Sequence, residues 1–174
     1  MEFFLETDRL LLRKFDLSDA PFIVELLNSP GWLEYIGDRN VKTEEDARAY
    51  LANGPIKSYA INGFGLSMVI LKDGKIPIGA CGLLKRDFLD DADIGFAFLP
   101  DYNGKGYGYE SASAVMSYAK NELNLSRILA FTVPYNVVSI KLLEKIGFHF
   151  EKIFMMPDSE EELFLYSYDV LPQI

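Results

Sequence analysis

Three glycines alternate with other residues in Asn103-Gly104-Lys105-Gly106-Tyr107-Gly108-Tyr109-Glu110. The run lies between a strand-like stretch, Asp93–Leu99, and one with Ala112, Val115, Met116, Ala119 and Leu123 at helical spacing. Glycine lets a backbone approach a ligand closely and adopt positive φ. Free N–H groups at the start of the following helix then converge on one spot, an arrangement that favours an anion. Lys105 adds a positive charge there. In an acidic chain this points to a bound pyrophosphate; a flexible strand-to-helix turn with no ligand is the competing account. Two other phosphate motifs fit worse. A Walker loop requires Gly-x-x-x-x-Gly-Lys followed by Ser or Thr, and the sequence has no such run. A dinucleotide fingerprint places its glycines straight after a strand, whereas Pro100 to Asn103 intervenes here.

Other chemistry-bearing residues are few. Cys81 is the only cysteine, so an intrachain disulfide and a cysteine zinc cluster are excluded. Its apolar setting, Ile78-Gly79-Ala80-Cys81-Gly82-Leu83, predicts a small core residue and not a nucleophile. Any Ser-His or Cys-His catalysis, or histidine metal site, would pass through His149, the single histidine; its segment predicts a solvent-facing strand position. No metal is expected. Glu110 is an acid in a first helical turn, which the helix dipole favours whether or not it has a role.

The elements that must hold these residues follow from periodicity and breakers. Arg9–Arg13 predicts a first strand. Ser18 predicts a helix cap, with Asp19 and Pro21 in the first turn and Phe22, Ile23, Leu26 and Leu27 as the buried stripe. Thr43-Glu44-Glu45-Asp46 predicts a capping box for a second helix burying Ala47, Tyr50 and Leu51. From Ser58 the pattern changes to strands, with Gly65–Leu71 and Ile76–Leu84 flanking a Lys72-Asp73-Gly74-Lys75 hairpin turn. A strand over Ile128–Val133 and a helix over Val137–Ile146, closed by Gly147, follow the glycine loop and its helix; Phe148–Phe154 and Leu163–Val170 end the chain as a strand pair. The order β-α-α-β-β-β-α-β-α-β-β implies an α/β protein of the α+β kind, with a mixed central sheet flanked by helices. With 174 residues, 49% of them hydrophobic and 25% charged, residues 1–174 are expected to form one domain. Met1-Glu2-Phe3-Phe4-Leu5-Glu6 lacks the basic start of a secretory signal, and no apolar run is long enough to span a bilayer, so a cytoplasmic protein with no membrane partner is expected. A net charge of −9 argues against nucleic acid as a partner, because phosphates would be repelled.

Asn136-Val137-Val138-Ser139 opens the helix that Gly147-Phe148 closes. Together with the glycine loop, these residues resemble the signature of the GNAT superfamily of N-acetyltransferases: Gln/Arg-x-x-Gly-x-Gly/Ala, a strand, Asn-x-x-Ser/Ala and a Gly-Phe. Thr7-Asp8-Arg9-Leu10-Leu11-Leu12-Arg13, Ile94-Gly95-Phe96 and Gly104-Lys105-Gly106-Tyr107 are similar to its ribosomal-protein (Rim-type) branch. The resemblance runs from Thr7 to Tyr168, and the element order agrees.

The resemblance implies that Asp93–Leu99 and Ile128–Val133 are parallel strands splayed apart, with the pantetheine arm of acetyl-CoA in the gap. Backbone groups of Phe96, Ala97 and Phe98 would pair with the arm, and Asn103, Gly104, Lys105, Gly106, Tyr107 and Gly108 would cradle the pyrophosphate. Asn136 would hydrogen-bond near the thioester. Ser139 matches the serine of the Rim-type branch, which protonates the leaving thiolate. Many members have a tyrosine for that task where this chain has Leu143, and Asn103 replaces the usual Gln or Arg. Asp93 stands where that branch often has Glu, making it the base candidate; a strand-end acid in solvent is the alternative. Glu110 is a weaker base candidate. Lys141 and Lys145 would either reach the adenosine phosphates or form a solvated helix face. A backbone N–H near Phe96 is the oxyanion donor. The implied activity is acetyl transfer from acetyl-CoA to a primary amine of a peptide N-terminus, by a monomer or homodimer. A small amine (aminoglycoside, polyamine or amino acid) and a non-catalytic acyl-CoA sensor are the alternatives. Trp32, Tyr35, Phe64 and Phe88 are candidates for lining the acceptor site, and Asp90, Asp91 and Asp93 for drawing in a cationic acceptor; Glu160-Glu161-Glu162 reads as a solvated turn.

Overall fold

Side chains of a strand alternate between its two faces, and here both faces are apolar. On β2 (Leu10–Lys14), Leu10 and Leu12 enter one core while Leu11 enters another. On β3 (Leu66–Leu71), Val69 joins the first core and Met68 and Ile70 the second. A sheet with two apolar faces must be covered on both. One cover is α5 (Tyr107–Asn121), burying Ala112, Val115, Met116 and Ala119, together with α6 (Val137–Lys145), burying Leu143. The other cover has α1 (Ala20–Leu27) and α3 (Glu44–Leu51), which bury Ile23, Leu26, Leu27, Ala47 and Leu51. The computed structural model describes residues 3–170. Met1 and Glu2, part of the start that lacks signal features, lie outside the described residues.

The sheet has eight strands in the order β1-β2-β3-β4-β5-β6-β8-β7. The remaining strands are β1 (Leu5–Glu6), β4 (Ile76–Leu84), β5 (Asp93–Phe98), β6 (Arg127–Thr132), β7 (His149–Met155) and β8 (Glu162–Asp169). Every neighbouring pair is antiparallel except β5 and β6, which run parallel and share a single register pair, Asp93 with Leu129. Beyond it β5 stays paired to β4 as far as Phe98, and β6 to β8 as far as Thr132. The sheet therefore splits between its two parallel strands, as the resemblance implied. Among the described residues, no helix is long and apolar enough to cross a membrane.

The predicted elements are present, with three differences. Ser18 is not the cap expected of it. Asp16 caps the 3₁₀ turn Leu17–Asp19 that runs into α1, its side chain accepting from the Ser18 N–H at 2.8 Å, while Asp19 accepts from the Asp16 N–H at 2.9 Å. Asp19 is held there by buried Arg13, at 2.7 and 2.6 Å, a pairing between strand β2 and the following turn that helix-capping pattern does not reveal. Two helices were not foreseen, α2 (Pro30–Tyr35) and α4 (Lys57–Asn62). α4 buries no residue, so it shows no apolar period, and Asn53-Gly54-Pro55 before it reads as a breaker although it forms a π turn, Ala52–Ile56. The third is the two-residue β1, too short to carry a pattern. The Thr43 capping box is present with both bonds, Asp46 N–H to the Thr43 hydroxyl at 3.1 Å and the reciprocal bond at 3.0 Å. Gly147 closes α6 with φ 103°, and a Cβ there would lie 2.9 Å from the Tyr168 ring, so glycine is required.

Candidate functional site

The split has a closed end and an open end. At the closed end the Leu129 N–H donates to the Ala92 carbonyl at 2.9 Å, so even-numbered residues of β5 aim their backbone groups at β6. At the other end the Leu99 N–H donates to the Ile78 carbonyl of β4 at 2.9 Å, so odd-numbered residues aim at β4. Both bonds give the same alternation. Phe96 and Phe98 thus offer N–H and C=O groups to the gap, with no strand beside them to take these up. Ala97 faces Ala80 of β4, so its backbone is already paired and only its neighbours remain open.

At the open end the glycine loop joins β5 to α5. Gly104 has φ 72° and Gly106 φ 85°, the left-handed region that L side chains avoid. Gly108 lies inside the first turn of α5, where a Cβ would have ordinary contacts at 3.7 Å with Leu142 and Phe98. Those two neighbours show that the start of α5, the end of β5 and α6 meet at one place. The Glu110 N–H donates to the Gly106 carbonyl at 3.0 Å. The N–H groups of Tyr107, Gly108 and Tyr109, ahead of that first bond, have no helical acceptor and are available to an anion.

The loop is braced by residues to which the sequence assigned no role in it. Arg9, in the turn between β1 and β2, donates from Nε to Glu110 at 2.7 Å and from its terminal nitrogen to the Lys105 carbonyl at 3.0 Å. Its guanidinium lies 4.4 Å from the centre of the Tyr107 ring. Glu110 also accepts from the Thr7 hydroxyl at 2.6 Å and the Arg9 N–H at 2.8 Å. Burial would raise its carboxyl, but these bonds from Thr7 and Arg9 outweigh it and hold the group below its ordinary value. Its oxygens brace the loop. The Thr-x-Arg of the amino-terminal motif was the available signal. Lys145 stacks on the Tyr109 ring at 4.2 Å, and Lys105 lies 5.6 Å from the centre of the Tyr102 ring.

On the β6 side, Asn136 is the N-cap of α6, its side-chain oxygen accepting from the Ser139 N–H at 3.3 Å. The oxygen is committed to the cap, which leaves the amide NH₂ to donate. Ser139 is half-buried in the first turn, and its hydroxyl makes no hydrogen bond among the described residues. Leu143 is buried in the core, where it contributes packing in place of a tyrosine hydroxyl.

Asp93 begins β5 at the closed end and is 2% exposed, which removes the strand-end-in-solvent alternative. It shares the α1–α4 face with Ala97. Arg86, in the turn after β4, donates from Nε to both carboxylate oxygens at 3.1 Å, and its guanidinium lies 4.9 Å from the centre of the Phe131 ring on β6. Burial pushes the Asp93 carboxyl up to about 6, and Arg86 opposes a larger rise. The group is thus ionised at neutral pH yet close to the range where it exchanges protons. Cys81 is buried, with its thiol pushed up to about 12 by burial, and His149 is exposed on β7.

The aromatic candidates divide. Tyr35 of α2 packs on Tyr135 at 5.9 Å, and the Tyr135 hydroxyl donates to the Glu34 carbonyl at 3.2 Å, joining α2 to the loop before α6. Phe88 stands 6.2 Å from Phe131 and is partly exposed. Trp32 is core, and Phe64 packs in the α5 core, across the sheet from Asp93. Glu160, Glu161 and Glu162 are exposed, as expected.

An unpaired strand edge, a glycine loop at a helix start and a buried acid lie along one split in the sheet. The acetyltransferase (GNAT) domain family matches residues 9–149. An uncharacterized N-acetyltransferase of Bacillus subtilis, YnaD, is 33% identical over 171 residues, 97% of each chain. A GNAT-family acetyltransferase structure from Bacillus anthracis is 30% identical, with TM-score 0.77 over 94% of this chain and 96% of that one. The RimL ribosomal-protein alpha-N-acetyltransferase in complex with coenzyme A shares the fold, with TM-score 0.82 over 97% and 98% of the two chains at 17% identity. By its sequence and its split sheet, this chain belongs to the GNAT family of N-acetyltransferases, enzymes that draw their acyl group from acetyl-CoA.

Proposed function

We propose that the enzyme acetylates the primary amine of a protein or peptide N-terminus, with residues 1–174 acting as one domain. The observation that carries this is the split itself: an anion loop at its open end, unpaired strand edge along its wall and a buried carboxylate at its closed end. Phe96 and Phe98 would pair with the amides of the pantetheine arm. The N–H groups of the loop and first turn, from Gly104 to Tyr109, would hold the pyrophosphate, with Lys105 and Arg9 supplying positive charge nearby; the Asn103 N–H is already taken by the Pro100 carbonyl at 3.2 Å, which leaves Asn103 its side chain. Acetyl-CoA, when bound, supplies the thioester.

The chain's own residues then orient the amine and move protons. Asp93 takes a proton from the incoming ammonium, so that a neutral nitrogen attacks the thioester carbonyl. The Phe96 N–H faces the gap and donates to the carbonyl oxygen as it gains negative charge. As the new C–N bond forms and the C–S bond breaks, the nitrogen loses its second proton to Ser139 while the Ser139 hydroxyl gives its own proton to the sulfur, so the serine ends the step neutral and coenzyme A leaves as the thiol. A thiol with pKa of roughly 8.5 is a good leaving group, so one hydroxyl suffices. Two points support an N-terminal acceptor. An α-amino group has pKa of about 7.8 against about 10.4 for lysine, so a carboxylate near 6 deprotonates it far more readily. The RimL enzyme, which shares this fold, acts on a ribosomal-protein α-amine.

Calorimetric titration of acetyl-CoA, followed by mass spectrometry of a panel of peptides, a polyamine and an aminoglycoside, tests this reading. Binding with acetylated peptide N-termini is the expected result. Acetylation confined to the small amines would overturn the acceptor, and absence of acetyl-CoA binding the whole reading.

A further inference from the structure

On the α1–α4 face a pocket of about 870 Å³ opens between α3, α4, the loop after α2 and the turn after β4. Its walls carry Arg39, Lys57, Lys85 and Arg86 against Asp46 and Asp87, an excess of cations in a chain of net charge −9. One carboxylate is already engaged: Asp46 accepts from the Lys42 and Thr43 N–H groups at 3.0 Å. Lys85 is engaged too, donating to the Leu89 carbonyl at 2.7 Å. Arg39 and Lys57 have no ion-pair partner among the described residues. Arg86 gives Asp93 only its Nε, so its two terminal nitrogens stay free. Tyr50 of α3 lines the same pocket, half-buried, and its hydroxyl makes no hydrogen bond among the described residues. Burial raises the Tyr50 hydroxyl, and the charges of Arg39 and Arg86, which line the same pocket, both pull against that rise.

We infer that Arg39, Tyr50 and the outer nitrogens of Arg86 form a carboxylate-binding subsite, and that the amine acceptor carries a carboxylate close to the amine it offers. This rests on the proposed acetyl transfer at the same site. The chemistry fits the groups: two guanidiniums and a hydroxyl donor line one pocket, in which four cationic side chains face two carboxylates, one of them, Asp46, already engaged. Arg86 links the two functions. Its Nε holds the Asp93 carboxylate while its far side holds the acceptor's carboxylate, so the acceptor's amine is brought to the base by a single guanidinium. Such a subsite favours an acidic acceptor over the cationic one that Asp90, Asp91 and Asp93 would draw in, because Arg86 already neutralises Asp93. The carboxylate has two sources, an Asp or Glu side chain beside a peptide N-terminus or the α-carboxylate of a free amino acid.

Calorimetry on the protein saturated with coenzyme A tests this with the peptide amides Ser-Glu-Glu-Phe, Ser-Gln-Gln-Phe and Ser-Lys-Lys-Phe and with free glutamate. The acidic peptide should bind at least about ten-fold more tightly than its glutamine counterpart, a preference that weakens with added salt. Glutamate binding as tightly would assign the α-carboxylate source, and weaker glutamate binding the side-chain source. Arg39→Glu and Tyr50→Phe should each remove the preference while the acetyl-CoA affinity holds. Equal binding of the three peptides, preference for the lysine peptide, no binding of any, or a preference that survives Arg39→Glu would overturn the inference. Loss of acetyl-CoA binding by the unmodified protein would count instead against the proposed function.

Discussion

The two sides of the split are built on different principles. The side assigned to acetyl-CoA is largely backbone: N–H groups ahead of the first α5 hydrogen bond, the unpaired edge at Phe96 and Phe98, and positive φ at Gly104 and Gly106. The side assigned to the acceptor is built from side chains of separate segments, Arg39 from a loop, Tyr50 from α3, and Arg86 with Asp93 around β5. A backbone site constrains sequence through glycines and caps, because only they permit the geometry. A side-chain site leaves its residues scattered and free to change with the acceptor. On these assignments one ligand would be held by the fold and the other by its decoration.

The sharpest way to break this comparison is Gly106→Glu. A side chain at φ 85° strains the loop and sets a negative charge against the pyrophosphate, so acetyl-CoA affinity should fall on the order of a hundred-fold or more while the thermal transition persists. Unchanged affinity in the folded variant would refute the backbone cradle. Next in size is Asp93→Asn, expected to lower kcat by roughly a hundred-fold or more with acetyl-CoA affinity retained. The pH profile carries the sign. Folding raises this carboxyl to about 6, so the native state holds the proton more tightly than the unfolded chain does. Its contribution to stability is present at low pH and is lost as pH rises through 6. Activity moves the other way, rising through the same window as the base ionises. Turnover of the unmodified enzyme should show an acid limb near pH 6 that Asp93→Asn abolishes; a limb that survives would assign the base elsewhere.

How much of this was legible follows the same division. The positive-φ glycines and the Gly147 cap were readable because each answers a local backbone demand, Asn136 and Ser139 were singled out by the family resemblance, and the element order followed from apolar periodicity. Arg86 was not readable: its value depends on Asp93, across a turn from it, and on Phe131, a strand away. Arg9 lay inside a recognised motif, yet its contacts with Glu110 and Lys105 span most of the distance to α5 in sequence. Ser18 misled because a serine before a helix is a good local cap, while Arg13, holding Asp19, decided that Asp16 does the capping. α4 escaped notice because an exposed helix without buried residues carries no period to detect.

Smaller effects should separate positioning from chemistry. Ser139→Ala should lower kcat by about ten-fold, less than the loss at Asp93, because a coenzyme A thiolate leaves readily without full protonation. Its N–H still bonds to Asn136, so α6 keeps its cap. An unchanged kcat at saturating substrate would mean that sulfur takes its proton from another donor. Glu110→Ala should raise the KM for acetyl-CoA a few-fold and leave kcat nearly intact, since it frees Arg9 and Thr7 and lets the loop wander without touching the reacting atoms. A fall in kcat with KM unchanged would return Glu110 to the chemistry.

The smallest expected effect tests whether the two sides are independent. Thr43 caps α3, accepting from the Asp46 N–H at 3.1 Å, and α3 carries Tyr50 into the acceptor pocket. Thr43→Ala removes that cap and should cost about 1 kcal/mol of stability. The first turn of α3 would fray, but Ala47 and Leu51 keep the helix seated on its core, so acetyl-CoA affinity should not change. The KM for an acceptor should rise slightly, by less than about two-fold, as Tyr50 lies on the following turn and feels only part of the loosening. Calorimetry on the variant reads the two ligands separately. If the acetyl-CoA affinity falls along with acceptor affinity, the acceptor-side helices and the anion loop are coupled through the sheet, and the separation between backbone-held and side-chain-held ligands is not one of energetics.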